Sequence, residues 1–170
     1  MPVTITSAAD AKALNVLGEE LRPLTPAALA PVALTPGGGL GDAGPGVAVF
    51  DTIAPLVMPG EAGPPPHRHP WAEIYIVLAG TLAVFDGDAW QDAPAGACVC
   101  VPPGQWHSYR NGTPDCHFLT ITGPGRAREF FERADAEVGT WPPDMAAATE
   151  LAARFGVEVM PNDAATGRGC

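Results

Sequence analysis

The chain has 170 residues and a formal net charge of −10, with only 16% charged side chains and 20 each of Gly and Pro. The acidic balance argues against phosphate-backbone partners and anionic membrane surfaces, and no run approaches the ~18 uninterrupted apolar residues of a membrane helix. The first residues also lack a basic start followed by a long apolar stretch, so a cytoplasmic protein is expected, with neither nucleic acid nor membrane as partner. The length suits one core without internal repetition, and the Gly and Pro content favours short strands joined by turns.

Taken in chain order, Ser7 to Asn15 predicts a short capped helix, with Ser7 as N-cap and Asp10 in the first turn. From Leu14 to Val32 the prolines Pro23, Pro26 and Pro31 predict an extended arm along the outside of the domain or over a partner subunit. Gly37 to Gly46 is a loop on composition. Val47 to Val57 begins with an apolar run of strand length, and further strands follow at Glu73–Leu78 and Thr81–Phe85. Asp86-Gly87-Asp88 signals a hairpin, and Ala97–Val101, Ser108–Arg110 and Cys116–Thr122 complete the set. Strands spaced every ~8 to 12 residues with Gly or Pro turns predict an all-β antiparallel sandwich or barrel.

The tail changes character. Ala127, Phe130, Phe131, Ala134 and Val138 fall at helical spacing, and Asp144 can cap a second helix with Ala148, Leu151, Ala152 and Phe155 on one face and Gly156 at its close. Both helices are expected to cover the outside of the barrel. The expected division is an arm and loop over 1–46, a barrel core over 47–123, a helical cover over 124–161 and a disordered tail over 162–170.

Chemistry concentrates in two stretches. In Gly63-Pro-Pro-Pro-His67-Arg-His69-Pro-Trp-Ala-Glu73, alternate residues of an extended segment share a face, so His67, His69 and Glu73 can point inward together. The prolines before His67 fix backbone dihedrals and limit what is lost when the site assembles. In Gly96 to Asn111, a strand enters a Pro102-Pro103-Gly104 turn and re-emerges carrying His107, the expected fourth donor. Three imidazoles and a carboxylate suit one divalent ion (Fe, Ni, Mn, Co, Cu or Zn), and four protein donors leave open positions for a substrate oxygen, dioxygen or water. Glu73 is either a permanent ligand or, once detached, a general base.

Other residues carry weaker signals. The spacing of Cys98, Cys100, Cys116 and Cys170 matches no zinc or redox motif, so buried free thiols are expected. His117 sits in a strand with no partner spacing and is read as structural, or as support for the site. Phe50, Trp71, Tyr75, Phe85, Trp106 and Phe118 are the candidate aromatic walls of a ligand cavity.

The two stretches resemble the paired motifs of the cupin superfamily. His67, His69, Glu73 and Gly80 match the first motif, with Glu61 where its leading glycine is expected, and Gly96, Pro102, Gly104, His107 and Asn111 match the second in full. The resemblance implies a double-stranded β-helix (jelly-roll) barrel with a divalent metal, commonly in a homodimer. Leu17-Gly18, the Pro-Pro-Pro-His67 run, Arg110-Asn111, Glu129-Phe-Phe and Ala153-Arg-Phe-Gly-Val-Glu158 make the chain similar to single-domain cupins related to bacterial quercetin 2,3-dioxygenase. In that group a flavonol hydroxyl binds the metal, the glutamate takes its proton and dioxygen cleaves the ring, which would make Glu73 the catalytic residue here. The reading that follows is a metal-dependent dioxygenase acting on a small aromatic or enolisable hydroxy compound. The alternatives are a cupin cyclase or isomerase of polyketide-like or sugar substrates without oxygen chemistry, and a non-catalytic ligand-binding cupin.

Overall fold

A computed structural model describes residues 6–16, 19–25, 46–53, 63–123, 126–139 and 144–161. Among them run β1 (Leu14–Val16), β2 (Glu19–Pro23), β3 (Ala48–Ile53), β4 (His67–Arg68), β5 (Ala72–Ala79), β6 (Thr81–Phe85) and β7 (Trp90–Pro94). They continue with β8 (Cys98–Val101), β9 (Ser108–Asn111), β10 (His117–Gly123), the helices α1 (Ala127–Val138) and α2 (Met145–Arg154), and β11 (Glu158–Val159). A six-stranded antiparallel sheet has the order β1-β2-β3-β10-β5-β8, a three-stranded sheet the order β7-β6-β9, and β4 pairs with β11. This is the jelly-roll architecture of the cupin fold, all-β apart from the two helices.

Side-chain alternation sets the register. Along β5 the residues Glu73, Tyr75 and Val77 are buried while Ile74, Ile76 and Leu78 face outward. The cross-strand pairs repeat that division: Thr122 and Val101 flank Glu73, and Thr120 and Val99 flank Tyr75. Tyr75, Val77, Leu82, Val84, Val101 and Phe118 fill the space between the sheets. A second apolar cluster joins Leu14, Val16 and Leu21 of the N-terminal hairpin to Phe50, Trp71 and the inner faces of α1 and α2. Asp144 caps α2 by accepting from the Ala146 and Ala147 amides, and the turn at Gly156 has a φ of 70°.

Some expectations need correction. The helix expected from Ser7 is a single turn: Ser7 O accepts from the Asp10 and Ala11 amides, and by Leu14 the chain has become a strand. Pairing of Leu14 with Leu21 buries both and overrides the modest helix propensity of the Ala-rich run. The arm continues as β2 and hydrogen-bonds to β3 at the sheet edge. Strand β7, exposed at all positions but Ala93, lacks the apolar alternation that would have revealed it. Cys98 and Cys100 are exposed rather than buried, because they sit on the outer face of edge strand β8; Cys116 is buried and free. Residues 37–45 of the expected glycine loop over 37–46, Pro26, Pro31, Glu61 and the tail 162–170 with Cys170 lie outside the described residues.

Candidate functional site

Each of the four expected site residues is placed by backbone contacts between the two motif stretches. His67 and His107 exchange both backbone hydrogen bonds, N to O at 2.9 Å each way, so the two segments meet as neighbouring strands. The Gly104 amide, in a turn whose φ is 77°, donates to His69 O at 2.8 Å and locks the second motif onto the first. Pro70 interrupts the first stretch between β4 and β5, yet the inward parity survives the break: His69, Glu73 and His107 are buried and His67 is partly so. Gly63 opens the approach with a φ of 131°, and a Cβ there would lie 1.8 Å from Tyr109 O, so the polyproline run is pressed against β9.

The hydrogen bonds fix the tautomers. His67 Nδ1 lies 2.9 Å from Pro65 O, His69 Nδ1 2.9 Å from Trp71 O and His107 Nδ1 2.9 Å from Gln105 O. A carbonyl only accepts, so each Nδ1 carries its proton and each neutral ring presents an Nε2 lone pair. His67, His69 and His107 bring one ring nitrogen each within 4.8 Å of one another. Glu73 Oε2 lies 3.1 Å from His69 Nε2 and 3.3 Å from His107 Nε2, and it accepts from Tyr75 OH at 2.8 Å.

Lone pairs facing a carboxylate at such distances repel unless a positive charge, a proton or a cation, stands among them. The donor set therefore fits a metal ion: borderline nitrogen donors, one hard oxygen, and backbone carbonyls orienting the rings from behind. Burial pushes Glu73 toward the neutral form, but where Nε2 of His107 and His69 carries a proton those edges donate to the carboxyl and hold it below the ordinary carboxylate range, and a cation at the same place acts in the same sense. Burial, with the repulsion that two protonated rings at His67 and His107 would feel, lowers His67 to about 4, which keeps its ring neutral and able to ligate. Tyr75 is raised well above an ordinary phenol by burial and by Glu73, so it stays a hydrogen-bond donor.

Beside this cluster lies a cavity of about 250 Å³, walled mainly by apolar side chains. His67, His69 and Glu73 belong to its wall, as do Leu21 from the N-terminal hairpin, Phe130 from α1 and Ala152 from α2. The helices thus cover the site as well as the barrel. Of the six aromatic residues expected as walls only Trp71 lines the cavity, its ring stacked on His69 at 4.4 Å and 11°. Phe50, Tyr75 and Phe118 are core, Phe85 packs on Trp90, and Trp106 lies under Arg68. His117 pairs with Asp51 at 2.6 Å and is not among the cavity residues.

Among the cavity residues that the sequence reading did not assign to a ligand wall are Glu19, Tyr109, Phe130 and Phe131. Tyr109 stands two residues after His107, and Glu19 two before Leu21, so strand parity held the signal for both. Tyr109 OH donates to Glu19 Oε2.

Comparison with known proteins agrees with this architecture. The family model for the cupin domain matches residues 56–122. KdgF from Halomonas sp. is similar in structure with a TM-score of 0.55 and 14% identity, over 75% of this chain and 99% of that one. An RmlC-like cupin from Shewanella frigidimarina NCIMB 400 has a TM-score of 0.53 and 15% identity, over 75% and 96%. A mutant of Bacillus subtilis oxalate decarboxylase OxdC has a TM-score of 0.51 and 19% identity, over 72% of this chain and 30% of that one. No match was found among curated proteins. The domain match and the shared fold support the cupin superfamily.

Proposed function

From a cupin barrel with three imidazoles and a carboxylate beside an apolar cavity, we propose a metal-dependent, quercetinase-like dioxygenase for a small aromatic or enolisable hydroxy compound. His67, His69, Glu73 and His107 hold one divalent ion in this reading. The observation that carries it is the convergence of ring nitrogens, their Nδ1 atoms tied to carbonyls, around Glu73 at the cavity wall. When bound, the ion supplies Lewis-acid and redox chemistry to a substrate oxygen and to dioxygen.

The chain supplies the rest. Leu21, Phe130, Ala152 and Val157 exclude water and take up an apolar ring. Among the described cavity residues none is Lys or Arg and two are glutamates, which disfavours a dianion such as the substrate named for the oxalate decarboxylase and favours a neutral or singly ionised compound. Where it stands, Glu73 Oε2 is engaged by Tyr75 OH and flanked by Nε2 of His69 and His107. To take a hydroxyl proton it must move off the imidazole edges; as a fixed ligand it lowers the charge of the site instead.

Glu73 also supports a second reading, proton transfer on an enolisable substrate without oxygen, as in a cyclase or isomerase. A homodimer through the outer face of the six-stranded sheet belongs to this proposal: Val49, Ile121, Ile74 and Cys100 form one cross-strand row, and Leu119, Ile76 and Cys98 continue the next from Asp51. The free thiols of Cys98 and Cys100 favour a reducing compartment such as the cytoplasm. Among the described residues no helix is long and apolar enough to cross a membrane.

The deciding experiment is elemental analysis of untagged protein, joined to oxygen-electrode assays of Fe-, Ni-, Mn-, Co-, Cu- and Zn-loaded forms against flavonols and polyketide-like phenols. Oxygen uptake that depends on a redox-active metal supports the dioxygenase. Anaerobic turnover with zinc supports the cyclase or isomerase, and tight binding without turnover supports a ligand-binding role.

A further inference from the structure

Glu19 is the one acidic residue on the inner face of the N-terminal hairpin. β1 and β2 pair Leu14 with Leu21 and Val16 with Glu19, so this carboxyl continues a row that is otherwise apolar. It is 8% exposed and lines the cavity together with His67, His69 and Glu73. Its Oε2 accepts from Tyr109 OH, whereas its Oε1 is buried with no hydrogen-bond partner among the described residues. An unpaired buried carboxyl oxygen costs about as much as a lost hydrogen bond, and nothing in the packing of the hairpin requires one there.

The arrangement repeats that of the other carboxylate. Tyr75 donates to Glu73 and Tyr109 to Glu19, and the two phenol rings meet edge-on with centroids 5.3 Å apart. Glu73 is surrounded by imidazoles, while Glu19 faces the cavity without them. Trp71 adds a second orphan: its Nε1–H is buried without a partner among the described residues, and Trp71 lines the same cavity. Two unmatched polar atoms on an apolar wall describe a small number of anchor points for a ligand.

We infer that Glu19 is a substrate-binding residue, receiving on its free oxygen a hydroxyl group of the ligand at a point separate from the histidine cluster. A hydroxyl is the group that answers to both states of Glu19, donating to the carboxylate and accepting from the acid. Burial raises Glu19 to about 7, against the donation from Tyr109, so both states are populated near neutrality. The ligand class that follows is a compact ring compound with two oxygen functions, one for the cluster and one for Glu19. The inference rests on the cavity being the substrate site, as proposed above, but not on oxygen chemistry.

The test uses the full-length protein, zinc-loaded and chelator-stripped, with catechol, resorcinol and hydroquinone, each compared with its monomethyl ether by titration calorimetry. At least one of the three should bind wild-type protein about tenfold more tightly than its ether, in both metal states. Glu19→Leu should abolish that advantage, and Glu19→Gln, whose oxygen stays with Tyr109 and whose NH2 donates to a hydroxyl and an ether oxygen alike, should cut it to below about threefold. The wild-type comparison requires no variant, so a folding defect in Glu19→Leu leaves a decisive arm. Absence of any advantage in wild type, or its persistence in Glu19→Leu, overturns the inference. A Glu19-dependent advantage without oxygen uptake by any of the Fe-, Ni-, Mn-, Co- or Cu-loaded forms refutes the dioxygenase and leaves this inference standing; oxygen uptake by one of them with no hydroxyl advantage does the reverse.

Discussion

Removing one imidazole from the cluster should abolish the stabilisation that metal confers, leaving the barrel folded. A ligand that binds only the native state stabilises it by RT ln(1 + [L]/Kd), about 2.7 kcal/mol at a hundred times Kd. For a chain of this length each kcal/mol moves Tm by roughly 2–4 °C, so saturating metal should raise the wild-type Tm by about 5–10 °C. His107 is 1% exposed, its Nδ1–H is spent on Gln105 O, and its Nε2 faces Glu73. His107→Ala therefore deletes one donor and leaves a void beside the carboxyl, which should cost the metal-free protein about 2–3 kcal/mol. The informative quantity is the metal-induced increment of each variant over its own stripped form. In His67→Ala and His107→Ala it should fall below about 2 °C, with bound metal well under one equivalent by elemental analysis. His117→Ala, whose ring pairs with Asp51 away from the cavity, should keep the full increment. Wild-type increments and a full equivalent of metal in both cluster variants would refute the ligand assignment.

Glu19 should leave its mark on the pH dependence of stability. Tyr109 and Glu73 are the titratable groups acting on it, and its folded value of about 7 lies above the ordinary 4.5. Between these values the folded state holds the extra proton, so its contribution is full below about pH 4.5 and lost as pH rises through 7. The stability difference between wild type and Glu19→Gln should fall by about 3 kcal/mol over that interval in urea unfolding, and a flat difference would contradict it. Gly63→Ala should destabilise by about 2–4 kcal/mol, because the added Cβ would overlap Tyr109 O at a backbone angle that favours glycine; an unchanged denaturation midpoint would refute the close approach. Ile76→Asp, placing a charge in the apolar outer face of the sheet, should convert a dimer to monomer in light scattering, whereas an unchanged mass or a monomeric wild type would remove that interface.

The convergence of the histidines on Glu73 was legible in the sequence because its information is local. Parity within a single stretch orients His67, His69 and Glu73, and a proline-glycine turn of fixed shape brings in His107. α1 and α2 were equally legible, the first from the spacing of Ala127, Ala134 and Val138 and the second from the Asp144 cap. The N-terminal segment was not. Its Ser7 start and Ala-rich run read as a helix, but a long-range contact, Leu14 against Leu21 and then β2 against β3, decides its conformation. The cavity wall was missed for a related reason: Phe130 and Phe131 were recognised as the packing face of a helix, and periodicity cannot tell packing against a core from packing over a void.

The division between what was legible and what was not follows a boundary in the protein itself. His67, His69, Glu73 and His107 all fall within residues 56–122, the part that matches the cupin-domain model. Glu19, Leu21, Phe130, Phe131, Ala152 and Val157, which shape the far wall, all fall outside it. A donor set that accepts several metals and several oxygen ligands leaves the choice of substrate to the wall that encloses it. The family match therefore carries little information about substrate, because the hairpin and helices that complete this cavity lie beyond the matched segment. Substitutions in those elements should change which ring compound binds while leaving metal affinity intact, and substitutions among the imidazoles should do the opposite.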